Sequence, residues 1–184
     1  GSSSLWNPMM TGGPGLLDGE DYGDATPFSV TIFHSGGTGA RPWRDGLSAT
    51  AFPSGVRNTP VEITESIAPV IFHRKELREG SGGDGQYRGG HGQVIEVSHA
   101  EGAPFAIFAL FDRVDHPARG RHGGANGAPG TVRLTNGKTL KTKGKQIIPA
   151  GERLLMELPG GGGYGDPAKR DPALREKDQA NDLN

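Results

Sequence analysis

The chain has 184 residues, with 32 glycines, 14 prolines and no cysteine, which excludes disulfides and thiolate metal ligands and predicts a reducing, cytoplasmic location. The 20 basic and 21 acidic residues give a formal net charge of −1, so the basic excess typical of nucleic-acid-binding proteins is missing. No apolar run has the length of a membrane span, and neither nucleic acid nor membrane is expected as a partner.

The first clear strand pattern begins at Phe28, and the residues before it fall into two parts. Residues 1–4, with the sequence Gly-Ser-Ser-Ser, resemble a cloning remnant or a cut made inside a longer protein. Residues 5–27 are expected to form an N-terminal loop segment. The folded, β-rich domain is therefore placed at residues 28–165.

Eight stretches have the alternating or continuous apolar pattern of β-strands. Asn136 and Gly137 separate two of them and predict a tight hairpin in which both turn residues have positive φ. The expected fold class is mainly β, an antiparallel sandwich or open barrel with long glycine-rich loops and little helix. The predicted strands are residues 28–33, 61–65, 70–77, 93–99, 104–111, 131–135, 138–142 and 153–158.

The last segment, residues 166–184, is expected to be a polar tail. Asp171 and Pro172 are residue types that begin helices, which would start a helix over residues 173–180. That stretch has almost no apolar face to bury, so a solvated tail is the preferred interpretation.

The longest loop, residues 35–58, is the first place to look for function, because loops of this length are usually functional or covered by a partner. It combines bare glycine backbone with Arg41, Asp45 and Ser48, a set able to hold an anion or a carbonyl group. A tight packing loop explains the same residues and is favoured on them alone. His34, just before the loop, is the best-placed imidazole, although a strand-end histidine more often only bonds a backbone carbonyl.

Residues 159–167, PGGGGYGDP, match the dinucleotide-binding pattern G-x-G-x-x-G at Gly160, Gly162 and Gly165. That fingerprint requires a helix and a further strand with an acidic residue about 20 positions on. Only 19 residues follow Gly165, and Pro167 disfavours a helix directly after the glycines. A structural role is predicted instead, in which bare backbone lets chain segments approach closely.

Four residues in one short stretch have side chains that can bind a divalent metal. Their spacing matches no named metal motif, and Pro117 with the glycines after it indicates a solvated loop. The solvated loop is the preferred interpretation, and a metal site stays the alternative. The four residues are Asp112, Asp115, His116 and His122.

Four strings occur in a fixed order along the chain: GGTGARPWRDGLSATAFPSGVRNTPVEITE from residue 36, ELREGSGGDGQYRGGHGQ from residue 76, GAPG from residue 127 and PGGGGYGDPAKRDP from residue 159. Each is weak alone, but the ordered set is specific. Together they resemble the hydantoinase B/oxoprolinase family. The resemblance runs from about Asn7 to Asn181 and covers nearly the whole chain.

Members of that family are larger subunits, and the resemblance implies that this chain corresponds to their C-terminal part. The family includes 5-oxoprolinases, N-methylhydantoinases, lactam hydrolases and acetone and acetophenone carboxylases. It implies a hydantoinase A-type partner that uses ATP and Mg to phosphorylate the substrate carbonyl oxygen, after which the B-type subunit completes the reaction. The divalent-metal ligands are implied to lie upstream, so no cofactor or metal ligand is expected in this segment.

The function implied by the resemblance is ATP-dependent hydrolysis of a cyclic amide: hydantoin, 5-oxoproline or a lactam. The implied partners are the hydantoinase A-type subunit and the upstream part of the same subunit, in an oligomer, with this segment inactive alone. A ketone carboxylase component and a non-catalytic β-rich assembly or binding module are the alternatives. Five polar residues on or beside the long loop are expected to line or support the reaction cavity: His34, Arg41, Asp45, Arg57 and Asn58.

Overall fold

The computed structural model describes residues 3–14 and 23–183 and has a mainly β architecture. In these residues the strands form three antiparallel sheets, which confirms the predicted fold class. The helical elements are α1 (Val61–Ile67), a 3-10 turn (Pro167–Lys169) and α2 (Pro172–Ala180). The strands are β1 (Leu5–Trp6), β2 (Met9–Gly12), β3 (Phe28–Thr31), β4 (His34–Ser35), β5 (Val70–Leu77), β6 (Gln93–His99), β7 (Phe105–Leu110), β8 (Thr131–Leu134), β9 (Lys143–Ile148) and β10 (Leu154–Glu157).

Two four-stranded sheets share one apolar core. One has the strand order β5-β6-β10-β8 and the other β3-β2-β7-β9, while β1 pairs with β4. In the first sheet, Met156 lies between Ile95 and Val132 of the neighbouring strands. In the second, Met10 lies opposite Ile107. All five side chains belong to the same buried cluster, so the two sheets form a sandwich.

Residues 61–65, predicted to be a strand, form the beginning of helix α1. Their β-branched side chains suggested extended structure. Pro60, with a φ of −58°, directly precedes the first turn, and proline is compatible with the start of a helix. The N–H of Ala68 donates to Thr64 O (3.0 Å) at the end of the helix. Thr64 and Ala68 are buried while Ser66 between them is exposed, which fits the spacing of a helix, since a strand would place all three on one face.

The hairpin predicted at Asn136 and Gly137 is present in a different form. Gly137 has a φ of 92°, whereas Asn136 is not among the residues with positive φ. Its side chain instead accepts a hydrogen bond from the N–H of Lys138 (2.9 Å). The N–H of Gly137 donates to Leu134 O (3.0 Å), and the N–H of Leu134 donates to Lys138 O (2.9 Å). The connection therefore has three residues, 135–137, instead of the two residues of the predicted tight turn.

Some strands lie where none was predicted. Residues 5–27, expected to be a loop segment, contain β1 and β2, although residues 15–22 of that segment are outside the described part.

Residues 138–142, predicted to be a strand, form only an isolated bridge at Thr139. The strand that follows is β9, an edge strand with the sequence KGKQII. Lysine is common on edge strands because it discourages pairing with other chains, and here it masked the strand pattern.

Residues 159–165, named the glycine spine from here on, lie at the centre of several extended segments. Successive spine residues form backbone hydrogen bonds in turn with three different segments of the chain. Pro159 O and Gly162 O accept from the N–H groups of residues 37 and 40, and the N–H groups of Gly160 and Gly163 donate to the carbonyls of residues 128 and 125. Gly161 and Tyr164 bond to residues 83–90. This period of three is that of polyproline II-type backbone, whereas a strand repeats every two residues.

Glycine is required in the spine because the neighbouring backbones leave no room for a side chain. A Cβ on Gly160 would lie 1.7 Å from Ser81 O, and one on Gly161 would lie 1.9 Å from Thr38 O. At the next two glycines the nearest carbonyl oxygens would be 2.3 and 2.0 Å away. These neighbours are backbone atoms in a close-packed interior and cannot move aside easily. The predicted structural role of these glycines is confirmed.

The end of the chain contains helix α2, so the preference for a solvated tail is wrong. Asp171 caps the helix, because its side chain accepts from the N–H of Ala173 (2.9 Å). The buried residue of the helix is Asp178, which forms ion pairs with two arginines. The sequence shows only that the helix has no apolar face, and it does not reveal these ion pairs. None of the helices in the described part of the chain has the length and apolarity of a membrane span.

Candidate functional site

The long loop, residues 35–58, follows the glycine-rich segments closely. Thr38 O accepts from the N–H of Gly90 (2.9 Å), and the N–H of Gly46 donates to Arg88 O (2.7 Å). A Cβ on Gly46 would lie 2.2 Å from Thr38 O. These contacts support the interpretation of this part as a tight packing loop, and they fix the backbone on which its polar side chains stand.

An ion-pair network connects this loop with helix α2. Arg170 donates from Nη1 and Nη2 to the two carboxylate oxygens of Asp45 (2.9 and 2.8 Å). The same Nη2 donates to Asp178 Oδ2 (2.6 Å). Arg88 binds both oxygens of Asp178, from Nε to Oδ2 (3.2 Å) and from Nη2 to Oδ1 (3.0 Å). The four side chains are between 8% and 22% exposed, so the network is largely removed from water.

The charges in this network fix the ionised form of Asp45. Burial by itself would raise the pKa of Asp45, but hydrogen bonds from Arg170 and from the backbone N–H of Arg88 (2.8 Å) outweigh it and hold the pKa below its ordinary value. The hydrogen bond to Asp45 in turn raises the pKa of Arg170. Asp45 is therefore a fixed negative charge and is unsuited to accept a proton near neutral pH.

His34, the imidazole singled out in the sequence, is inside the protein. It is 0% exposed on β4, and its ring lies edge-on to Phe72 with centroids 6.3 Å apart. Neither ring nitrogen has a hydrogen-bond partner among the described residues. Burial, and secondarily the charge of Lys75, lower its pKa to about 3. His34 is therefore a buried, neutral imidazole at physiological pH, and its role at a reaction cavity stays a prediction.

The structure brings together only some of the residues predicted to line a cavity. Arg41 is beside Asp45, because its Nη2 donates to Asp45 O (3.0 Å). Asn58 is exposed and donates from its side chain to Ala49 O (3.1 Å). Arg57 is exposed as well. The role of these residues at a reaction cavity stays a prediction.

Four charged or titratable residues in or near the network were not predicted from the sequence. Arg88, Arg170 and Asp178 are far apart along the chain, and Asp178 stands in a polar stretch that resembled a tail. The fourth, His91, is fully buried, and its Nδ1 accepts from the N–H of Gly82 (3.3 Å). Burial, and then the charge of Arg88, lower the pKa of His91 to about 4. A charged residue on a polar helix gives no sequence signal of burial, because its partners come from other segments.

The residues considered as metal ligands do not assemble into a site. Asp112 Oδ1 accepts from Ser4 Oγ and from Trp6 Nε1, and the ring of His122 lies against Tyr164 with centroids 4.8 Å apart. Across residues 3–14 and 23–183, no three acidic or histidine side chains are arranged to hold a metal ion. The arrangement of the described residues gives no support to the metal alternative for Asp112, Asp115, His116 and His122.

The glycine spine is also unsuited to bind a nucleotide phosphate. A phosphate loop presents free backbone N–H groups to the ligand. Here the N–H groups of Gly160, Gly161 and Gly163 donate to carbonyls of the protein itself, at 3.1, 2.9 and 2.9 Å. The match to G-x-G-x-x-G is thus a consequence of close backbone packing.

Comparison with known proteins agrees with the resemblance found in the sequence. The model of the hydantoinase B/oxoprolinase family matches residues 2–167. The chain belongs to the hydantoinase B/oxoprolinase family. Arg170 and helix α2 lie beyond the matched range.

The known proteins that match this chain are much longer than it is. 5-Oxoprolinase 1 of Arabidopsis thaliana is 38% identical over 156 residues, which is 82% of this chain and 12% of that protein. The ATP-dependent caprolactamase from Pseudomonas jessenii has a TM-score of 0.72 at 24% identity, covering 99% of this chain and 33% of that one. A nucleotide-free acetone carboxylase has a TM-score of 0.68 at 21% identity, covering 100% of this chain and 28% of that one. The two solved structures share the fold of this segment.

Proposed function

We propose that this chain is the C-terminal segment of a hydantoinase B-type subunit, and that the subunit acts in ATP-dependent hydrolysis of a cyclic amide such as hydantoin, 5-oxoproline or a lactam. The observation that carries the proposal is the family match over residues 2–167. The 38% identity to a 5-oxoprolinase supports a cyclic amide as the substrate. A hydantoinase A-type subunit and the rest of the B-type subunit are the proposed partners, in an oligomeric assembly in the cytoplasm.

This segment is proposed to supply a frame and not the reactive centre. Hydrolysis of a stable amide needs a more electrophilic carbonyl and an activated water molecule. Among the described residues no cluster is arranged to hold a metal ion, and the N–H groups of Gly160, Gly161 and Gly163 are bonded to carbonyls of the protein itself. On the family resemblance, we assign ATP with Mg to the partner subunit and the divalent metal to the upstream part of the B-type subunit.

The long loop is proposed to border the reaction cavity in the complete assembly. Asp45 is anchored by two hydrogen bonds from Arg170, and its backbone carbonyl holds Arg41. A side chain anchored in this way orients its neighbours with little loss of conformational entropy on binding. Arg41 is then the group best positioned to orient a carbonyl or carboxylate, with Arg57 and Asn58 on the exposed part of the same loop.

A second candidate is a component of an ATP-dependent ketone carboxylase. The specific observation in its favour is that the acetone carboxylase shares this fold over the whole chain, with a TM-score of 0.68. Its identity of 21% is lower than that of the 5-oxoprolinase, and for that reason the hydrolase comes first.

The two candidates are distinguished by the substrate that stimulates ATP consumption. The complete B-type subunit would be purified with its A-type partner and given ATP with 5-oxoproline, hydantoin or caprolactam, or with acetone and bicarbonate. The hydrolase proposal predicts ADP release and a ring-opened product with one of the cyclic amides. ADP release and a β-keto acid with acetone and bicarbonate alone would contradict it and favour the carboxylase.

A further inference from the structure

Helix α2 is attached to the protein by charge more than by apolar contact. Asp178 is its buried residue, and Leu174 is only partly buried. A helix that buries little apolar surface gains little from the hydrophobic effect. Helix α2 is also joined to the 3-10 turn before it by a hydrogen bond from Arg175 Nη2 to Pro167 O (2.8 Å). The position of α2 therefore depends strongly on one carboxylate.

The grip on that carboxylate has the geometry of a ligand site. Arg88 approaches side-on, with Nε and Nη2 each donating to one oxygen of Asp178 (3.2 and 3.0 Å). Arg170 adds a third hydrogen bond from Nη2 (2.6 Å). A planar two-point contact from arginine is the common way in which proteins recognise carboxylates.

The two arginines are held in place by groups that do not belong to helix α2. Arg88 donates from Nη1 to Gly89 O (2.8 Å). Arg170 is fixed by both oxygens of Asp45, and its Nη1 also donates to Gln86 O (3.3 Å). If Asp178 leaves, the remaining side chains carry two positive charges and one negative charge. The two arginines then remain in place to bind another anion.

A cleft of about 510 Å³ lies directly against these arginines. Besides the two arginines, the lining includes the acidic Asp84 among the glycines of residues 80–85, and Arg175, Asp178 and Leu183 from α2 and the residues after it. This size suits a small-molecule ligand, and movement of α2 would widen the opening.

We propose that Arg88 and Arg170 form a binding site for a small carboxylate ligand, and that Asp178 of helix α2 occupies this site in the conformation described here. A carboxylate from solution competes with Asp178, and its binding releases α2 from the surface. Because Arg170 and α2 lie beyond the family match, this inference stands independently of the cyclic-amide proposal.

Hydrogen–deuterium exchange on the 184-residue chain tests the release of α2 directly. Acetate is the probe, with sodium chloride at equal ionic strength and neutral acetamide as controls. The proposal predicts at least about tenfold faster amide exchange over residues 172–180 in acetate than in either control, with the core strand β6 unchanged. Equal exchange in acetate and chloride would overturn it and leave a purely structural ion-pair cluster.

Affinity measurements on variants identify the residues. Asp178→Asn removes the competing carboxylate with little change in shape, and acetate should bind this variant at least about tenfold more tightly than the wild type. Adding Arg88→Lys should abolish that gain, because lysine cannot make the two-point contact. Arg153→Lys is the matched control, since Arg153 is exposed and lies outside the cleft, and it should leave the gain in place. Acetate binding that is equal with and without Arg88→Lys would refute the assignment; if the variants do not fold, the exchange experiment decides.

Discussion

At the scale of single residues, the buried histidines link stability to pH. His34 has a pKa of about 3 in the folded protein, against an ordinary value of 6.5. Between these pH values the unfolded chain takes up a proton that the folded protein does not, so acid favours unfolding. The contribution of His34 to stability is complete above pH 6.5 and declines as the pH falls toward 3. His91, with a pKa of about 4, acts in the same direction.

Replacing His34 with leucine should flatten this dependence. Linkage assigns roughly 2 kcal/mol of destabilisation at pH 5 to a histidine with such a shift. We therefore expect His34→Leu to reduce the difference in free energy of unfolding between pH 7 and pH 5 by about that amount, measured by urea denaturation. The exposed His116 provides the matched control, and His116→Leu should leave the wild-type difference in place. An unchanged difference in His34→Leu would show that His34 is not buried as a neutral group.

At the scale of elements, the glycine spine explains the unusual composition of the chain. The run of glycines predicts close backbone approach, and a Cβ on Gly161 would indeed meet Thr38 O at 1.9 Å. The period of three was not predictable, because pattern analysis searches for apolar side chains at helical or strand spacing and glycine has none. The spine bonds to segments that lie between 32 and 122 positions earlier in the chain, such as residues 128 and 37, and no local signal identifies such partners.

A side chain in the spine should prevent the segments from assembling. Gly161→Ala is expected to cost more than about 3 kcal/mol of folding free energy, above the usual range for overpacking, because backbone lies on both sides of the contact. Gly151→Ala is the control: it has a φ of 75° and open space around it, so only a backbone strain of about 1–2 kcal/mol is expected. Urea denaturation of both variants measures the two costs. Equal losses would mean that the spine tolerates a methyl group.

At the scale of the whole molecule, apolar side chains are exposed on the surface of the described residues. Ile63 and Ile67 stand four residues apart on one face of α1 and are 54% and 68% exposed. Trp43, on the long loop, is 71% exposed. Exposed apolar groups of this size are typical of surfaces that are covered in an assembly. We expect the separate 184-residue chain to cover them by self-association.

Sedimentation velocity tests this expectation. The wild-type chain should form dimers or larger species at tens of micromolar, and Ile63→Lys with Ile67→Lys should shift it toward monomer, since the charges remove apolar surface from the contact. Ser66→Lys adds a charge to the same helix without removing an apolar side chain, and it should have the smaller effect. A wild-type chain that is monomeric throughout would contradict the expectation.

The sandwich was predictable because its strands carry the apolar pattern. Strands β5 and β6 have the predicted bounds, since Ile95 and Val97 alternate with more polar neighbours and are buried together. The ion-pair network was not predictable, because Asp45 and Arg170 are 125 positions apart and neither belongs to a motif of known spacing. Helix α1 was missed because β-branched residues hid a helix whose burial depends on tertiary contacts.

The central claim is that this segment is a frame for a reaction carried out by other polypeptide. The most direct measurement is ADP release by the isolated 184-residue chain supplied with ATP, Mg and 5-oxoproline, hydantoin or caprolactam in turn, beside the complete subunit with the proposed A-type partner. The account predicts no release above the buffer blank for the isolated chain and substrate-dependent release for the assembly. Substrate-dependent turnover by the isolated chain would contradict it.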